Sequence, residues 1–234
     1  MIRAGVLMAV LAAPAMAQPL DLVPRPEPRA TAPEQLSVPR PSVRPEAPVA
    51  APTPTPQPVV AARPGAGICN DPAISGTPIE AIPGRVEGCG IERPVRVQAV
   101  SGVRLDRPVR MDCTTATALK TWVEEGVKPV LPRVTALDVA AGYVCRTINH
   151  QEGADISEHG KGRAIDISAF FLDSGERLTV LDGWRDDSIG PRLSRIHAAA
   201  CGPFATVLGP EADRYHQDHF HLDTSRRGGS PYCR

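Results

Sequence analysis

Aromatic residues are scarce in this chain. Phe, Trp and Tyr make up 4% of its 234 positions, too few to fill one core running the whole length. Charge of one sign is also missing: 26 Lys and Arg are balanced by 26 Asp and Glu. That balance gives no electrostatic footprint for nucleic acid or for an anionic membrane surface, and predicts neither as a partner. No C-x-x-C pair occurs, which argues against a thiolate zinc site. After the first residues there is no apolar run of the roughly 20 residues that a membrane-spanning helix needs.

Proline is abundant instead. More than half of the 26 prolines fall in "PLDLVPRPEPRATAPEQLSVPRPSVRPEAPVAAPTPTPQPVVAARP", Pro19 to Pro64. Such a segment lacks the apolar density to offset its ordering entropy and favours extended polyproline II, so 18–66 reads as a disordered Pro-rich linker, a semi-rigid spacer. Ahead of it, Arg3, the apolar run from Gly5 to Ala13 and the small-residue pattern Ala15-Met16-Ala17 predict a signal peptide over 1–17. The expectation is an exported protein, periplasmic or of the cell envelope, with no membrane span after signal cleavage.

The remaining residues, 67–234, form the predicted folded domain and hold all six cysteines. An even number in an exported chain predicts three disulfides. Nearness in sequence favours Cys69–Cys89, Cys113–Cys145 and Cys201–Cys233, the last pinning the tail. "DCTTATALKTWVEEG" predicts a helix with Asp112 as N-cap and Gly126 as its stop. "GPRLSRIHAAACG" predicts a second, with Pro191 near its start and Gly202 at its end. "RVTALDVAAGYVCR", "RAIDISAFFL", "RLTVLDGW" and "HFHLD" read as strands, with 173–175 turning the second into the third. Strands flanked by helices without regular alternation predict an α+β domain built on an antiparallel sheet.

Two of these strands carry chemistry on one face. In "RAIDISAF" a period of two puts Asp166 opposite in direction to Ile165 and Ile167. In "HFHLD" it separates His219, His221 and Asp223 from Phe220 and Leu222. If the strands are neighbours, Asp166 and His221 stand close enough to ligate one ion. His159, seven residues before Asp166, cannot share its face in a straight strand. Gly160 and Gly162 allow the chain to loop and bring it back. Two imidazoles and one carboxylate around an open fourth position match a catalytic zinc site, so Zn2+ is the expected cofactor. His150, His197 and His216 are assigned surface or structural places, and Asp223 is a candidate to orient His221.

"SEHGKGRAID" also matches S-x-H-x-x-G-x-A-x-D, a signature of the D-alanyl-D-alanine metallopeptidase superfamily that includes hedgehog and lysostaphin-type proteins. With "GYVCR" and "HQDHFHLD" beside it, 67–234 resembles the extensin-like C-terminal domain family of bacterial exported proteins. The resemblance implies a hedgehog/DD-peptidase-like fold with His159, Asp166 and His221 as zinc ligands. It implies Asp218 as the catalytic acid of one branch or His219 as the catalytic histidine of another. On an extended strand His219 shares the face of His221 while Asp218 points away, which favours His219. The same resemblance implies that Ser157 and Arg146 bind substrate, although Arg146 stands two residues beyond the position usual for that arginine. The implied activity is a zinc peptidase that uses metal-activated water on peptidoglycan stem or cross-bridge peptides, with a D-amino acid at the cleaved bond. The rival expectation is a zinc-stabilised module that binds cell wall or a protein without cleaving it.

Overall fold

A computed structural model describes residues 67–226 and 228–234; the expected signal peptide and Pro-rich linker lie outside the described residues. The chain opens with strand β1 (Ile74–Pro78), a ribbon of β2 (Ile82–Pro83) and β3 (Gly90–Ile91), and a hairpin of β4 (Val95–Val100) and β5 (Val103–Met111). Helix α1 (Cys113–Trp122) leads to β6 (Val134–Ala141), β7 (Ala164–Leu172) and β8 (Arg177–Thr179). A single turn of helix, α2 (Val180–Gly183), precedes α3 (Gly190–Ala200), and the short strands β9 (Thr206–Leu208), β10 (Phe220–Asp223) and β11 (Tyr232–Cys233) finish the domain.

Nine of these strands form one sheet, in the order β1-β4-β5-β6-β7-β10-β9-β11 with β8 added beside β7. Pairing is antiparallel except for β5–β6 and β9–β11. The expected α+β class with a mainly antiparallel sheet is therefore present. Strands β1, β4 and β5 were not among the sequence expectations. Their apolar residues alternate with polar or charged ones, and Val95, Val97, Val103, Leu105, Val109 and Met111 are buried.

The few large aromatics concentrate in one place. Trp122, Phe170, Phe204 and Phe220 are fully buried. Trp122 packs against Phe170 and Phe204 at 6.2 and 6.5 Å between ring centroids, and Phe170 against Phe220 at 6.3 Å. The indole N–H of Trp122 donates to the Ile196 carbonyl at 2.9 Å, so a buried polar group is satisfied while α1 is tied to α3.

Helix α1 starts where its sequence indicates: the Asp112 carboxylate accepts from the Thr115 N–H at 2.7 Å, satisfying a free amide of the first turn. Gly126 does not end it. The helix runs on into a π turn over Val123–Val127, and a Cβ on Gly126 would come within 2.8 Å of the Ala199 Cβ on α3. That glycine serves close helix packing, not termination. "RLTVLDGW" is a strand only as far as Thr179, whose hydroxyl accepts from the Asp182 N–H at 3.0 Å and starts α2. A threonine cap outcompetes strand propensity there. The turn at 173–175 is a hairpin as expected, with Gly175 at φ +86°.

All six cysteines are paired, but as Cys69–Cys113, Cys89–Cys145 and Cys201–Cys233. The expected Cys69–Cys89 and Cys113–Cys145 pairs are corrected by the path of the chain. Cys69 and Asn70 both adopt positive φ, and this tight turn lays the start of the domain on α1, where Asp71 meets Lys120 at 3.2 Å. Cys69 is thereby placed against Cys113, and Cys89 in the β2–β3 ribbon is free to reach the segment after β6. A non-reducing peptide map is expected to return these three links, and a Cys69–Cys89 peptide would contradict the fold described here.

Candidate metal centre

Strands β7 and β10 pair antiparallel with His221 directly across from Asp166, Phe220 across from Ile167 and Leu222 across from Ile165. The apolar residues of both strands join the core, and Asp166, His221 and Asp223 are left together on the other face. His159 arrives from a 3-10 turn, Glu158–Lys161, that Ser157 caps by accepting from the His159 N–H at 3.4 Å. Gly162 then turns the chain into β7. Its φ is +68°, and a Cβ there would lie 2.2 Å from the Ile91 side chain, so both conformation and space demand glycine. Gly160 has ordinary backbone but no room: a Cβ would sit 2.8 Å from the Ile156 side chain.

The three expected ligands converge. His159 Nε2 lies 3.1 Å from Asp166 Oδ2, His221 Nδ1 lies 2.9 Å from Asp166 Oδ1, and the two imidazole nitrogens are 3.2 Å apart. Among the described residues this is the one group of three or more His, Cys, Asp or Glu side chains whose donor atoms come together in this way. The outward nitrogen of each ring is held by an acceptor. His159 Nδ1 donates to the Gly142 carbonyl at 2.8 Å, and His221 Nε2 faces Asp223 Oδ2 at 3.4 Å. Asp223 also accepts from the Ser225 N–H at 2.8 Å, so it both orients His221 and closes the strand end.

With their outer nitrogens held by acceptors, Nε2 of His159 and Nδ1 of His221 are the atoms left to face inward, each bonding Asp166 when protonated and offering a lone pair to a metal when not. Two lone pairs at 3.2 Å call for a cation between them, either a proton or a metal ion. In a tetrahedral zinc site with bonds of about 2.0–2.1 Å the ligand atoms stand about 3.3 Å apart, close to the 3.2 Å between the two imidazole nitrogens, each of which faces a different oxygen of Asp166. The donor set fits zinc.

Electrostatics agree with a site built for a cation. Burial alone would raise the Asp166 carboxyl, but hydrogen bonds from His159 and then His221 outweigh it and hold the group far below the usual carboxylate range. Burial pushes His221 down, yet its bonds to Asp166 and Asp223 prevail and raise it to about 9.

The other expected residues surround this cluster. His219 sits one residue before β10 and still reaches the site, its Nε2 3.7 Å from Asp166 Oδ2. Asp218, 66% exposed, turns away from the ligands and accepts from His219 Nδ1 at 2.8 Å. The two are thus bonded to one another, with the imidazole towards the site and the carboxylate behind it. Arg146 and Ser157 line a cavity of about 550 Å³ shared with His221, Asp213 and His216. Ser157 has its hydroxyl occupied in capping, and Arg146 donates to the Thr147 carbonyl at 3.2 Å.

His216 was assigned a structural place from the sequence, and its position is more informative than that. It is buried, its Nδ1 is 2.8 Å from Asp213 Oδ1, and its ring stacks 5.2 Å from His219 and 5.6 Å from His221. Burial lowers it below the usual histidine range, with Asp213 opposing in part. An odd spacing of five from His221 would point it away on a strand. The chain there is a turn, and Asp213-x-x-His216 was the sequence signal for it.

A family model described as extensin-like protein C-terminus matches residues 73–234. Neither curated proteins nor solved structures give a match.

A pH dependence follows for the metal-free protein. His221 stands at about 9 when folded against about 6.5 in a free chain, so its stabilising contribution is complete below pH ~6.5 and is lost as pH rises towards 9. That contribution is on the order of 3 kcal/mol. Urea midpoints in the presence of chelator are expected to fall across this window, and His221→Gln to remove that part of the slope.

Proposed function

The chain belongs to the extensin-like protein C-terminal family, and from that premise we propose that it is an exported zinc peptidase related to the D-alanyl-D-alanine metallopeptidases, acting on peptidoglycan peptides. The observation that carries this reading is the convergence of His159 Nε2, His221 Nδ1 and the Asp166 carboxylate, each ring tied at its far nitrogen, with His221 also lining a cavity. Three disulfides support export, since such bonds persist in oxidising compartments.

His159, Asp166 and His221 would hold a zinc ion, which would supply Lewis acidity for a carbonyl and bring the pKa of water towards about 7. The chain's own residues do the rest. His219 presents Nε2 to the site and takes the proton of the attacking water, then returns it to the leaving amine. Asp218, bonded to Nδ1, keeps the imidazole in that tautomer and stabilises its charged form. His216, whose Nδ1 is tied to Asp213, lines the same cavity and packs its ring beside His219 and His221, where it helps to position both. Arg146 lines the same cavity and gives a cationic partner for a substrate carboxylate, a group that peptidoglycan stem peptides carry at their termini.

Digestion of purified sacculi by the zinc-loaded protein is expected to release peptide fragments detectable by mass spectrometry, and chelation to abolish them. Zinc binding without any fragment would instead favour a wall-binding module. Among variants, His159→Ala is expected to lose zinc. His219→Ala should keep it while turnover falls by roughly 10²- to 10⁴-fold, the usual worth of a proton-handling residue. Asp218→Ala should also keep zinc and lose less. Near-normal turnover in His219→Ala would remove this histidine from the chemistry.

A further inference from the structure

Two of the three ligands stand on paired strands, but His159 stands on a short turn. That turn is tied at its end to the start of α1, the Asp112 N–H donating to the Gly162 carbonyl at 2.9 Å, and is flanked by two segments with little structure of their own. On one side is 142–146, which leaves β6 after Ala141 and belongs to no strand. The Gly142 carbonyl accepts from the His159 ring at 2.8 Å, and the Val144 N–H donates to the His159 carbonyl at 3.4 Å. On the other side is the β2–β3 ribbon, a two-stranded sheet separate from the main one, of a kind that is marginal in isolation. It presses on both glycines of the turn. A Cβ on Gly162 would meet Ile91, and one on Gly160 would lie 3.1 Å from Cys89 Sγ and 3.5 Å from the Val144 carbonyl.

The ribbon and the 142–146 segment are joined by Cys89–Cys145. We propose that this disulfide is a positioning element of the metal centre, clamping the His159 turn so that zinc affinity depends on this one bond. The inference rests on the zinc reading above and adds its regulation: the site is completed by oxidation and matures where disulfides form. Cys201–Cys233 has no such place, since it joins the end of α3 to β11.

The test is zinc affinity, measured by competition with a chromophoric chelator, together with the visible spectrum of the cobalt-substituted site. Cys89→Ser/Cys145→Ser is compared with Cys201→Ser/Cys233→Ser, each checked for fold by circular dichroism. Their loops of 56 and 32 residues carry similar closure entropy, so a general loss of stability would affect both. The expected result is binding weaker by about 10- to 100-fold and an altered cobalt spectrum for the first variant only, the range found when residues that orient a ligand are removed. Affinity within about threefold of wild type, or equal losses in both variants, would overturn the proposal. Should Cys89→Ser/Cys145→Ser not fold, Gly160→Ala keeps the bond but presses the turn against Ile156 and Cys89, at 2.8 and 3.1 Å. It is expected to weaken zinc in the same direction, and unchanged affinity there overturns the clamp. A wild-type protein that binds no zinc would instead sink the zinc reading itself.

Discussion

The register between β7 and β10 fixes the core and the candidate metal centre together. Side chains alternate across a strand, so a slip of one residue would carry every one of them to the opposite face. In the register observed, Ile165, Ile167, Phe220 and Leu222 enter the core while Asp166, His221 and Asp223 meet on the other side. Each apolar side chain buried in this way contributes about 1.5–3 kcal/mol. The slipped alternative would drive a carboxylate and an imidazole into an apolar layer without partners, at a cost of several kcal/mol. Hydrophobic patterning thus places two of the three ligands, and the polar site need not supply the energy of its own assembly.

What the polar face needs is positive charge. Asp166 is buried and ionised, and the two imidazoles beside it turn lone pairs inward because Gly142 and Asp223 hold their outer nitrogens. Without metal, a proton on His221 meets the need, which is why that ring titrates so high. A divalent ion would meet it better, since it accepts all three donors at once. The histidines nearest the cluster follow the same logic outward: His219 is backed by Asp218 and His216 by Asp213. Each carries its own carboxylate, so each ring can gain a proton and lose it again without leaving an unpaired buried charge.

How much of this was legible in the sequence depended on how local its cause was. The alternation in "AIDIS" and "HFHLD" is a property of the strands themselves, and the ligand face could be read from it. The turn before β7 was legible because Gly162 requires a left-handed backbone that few other residues adopt. The disulfides were not, because Cys69 meets Cys113 through a turn and a sheet path that nearness in sequence does not encode. Gly126 resembles a helix stop until Ala199, 73 residues later, is seen to need its space. Asp218 and His219 looked like competitors because a straight strand sends them to opposite sides. The chain bends just before Phe220, and the bend makes them partners.

The scarce aromatics are gathered behind the strand side of the site, while a disulfide stands beside the His159 turn. The buried rings run from Trp122 through Phe170 to Phe220, and Phe220 lies directly between His219 and His221 in sequence. The far side of Phe220 is covered by Trp184 and His197 at 5.7 and 5.0 Å. The strand ligands therefore rest on the best-packed part of the domain, where small displacements are costly. The His159 turn stands outside the paired strands, although His159 itself is fully buried. The turn's neighbours are glycines, Ile91, Ile156 and a disulfide sulfur. Beside those contacts, a covalent bond is a further way to hold a side chain within the few tenths of an ångström that metal coordination tolerates. On the zinc reading proposed above, the candidate ligand that stands outside the paired strands is the one whose placement would fall to the cystine.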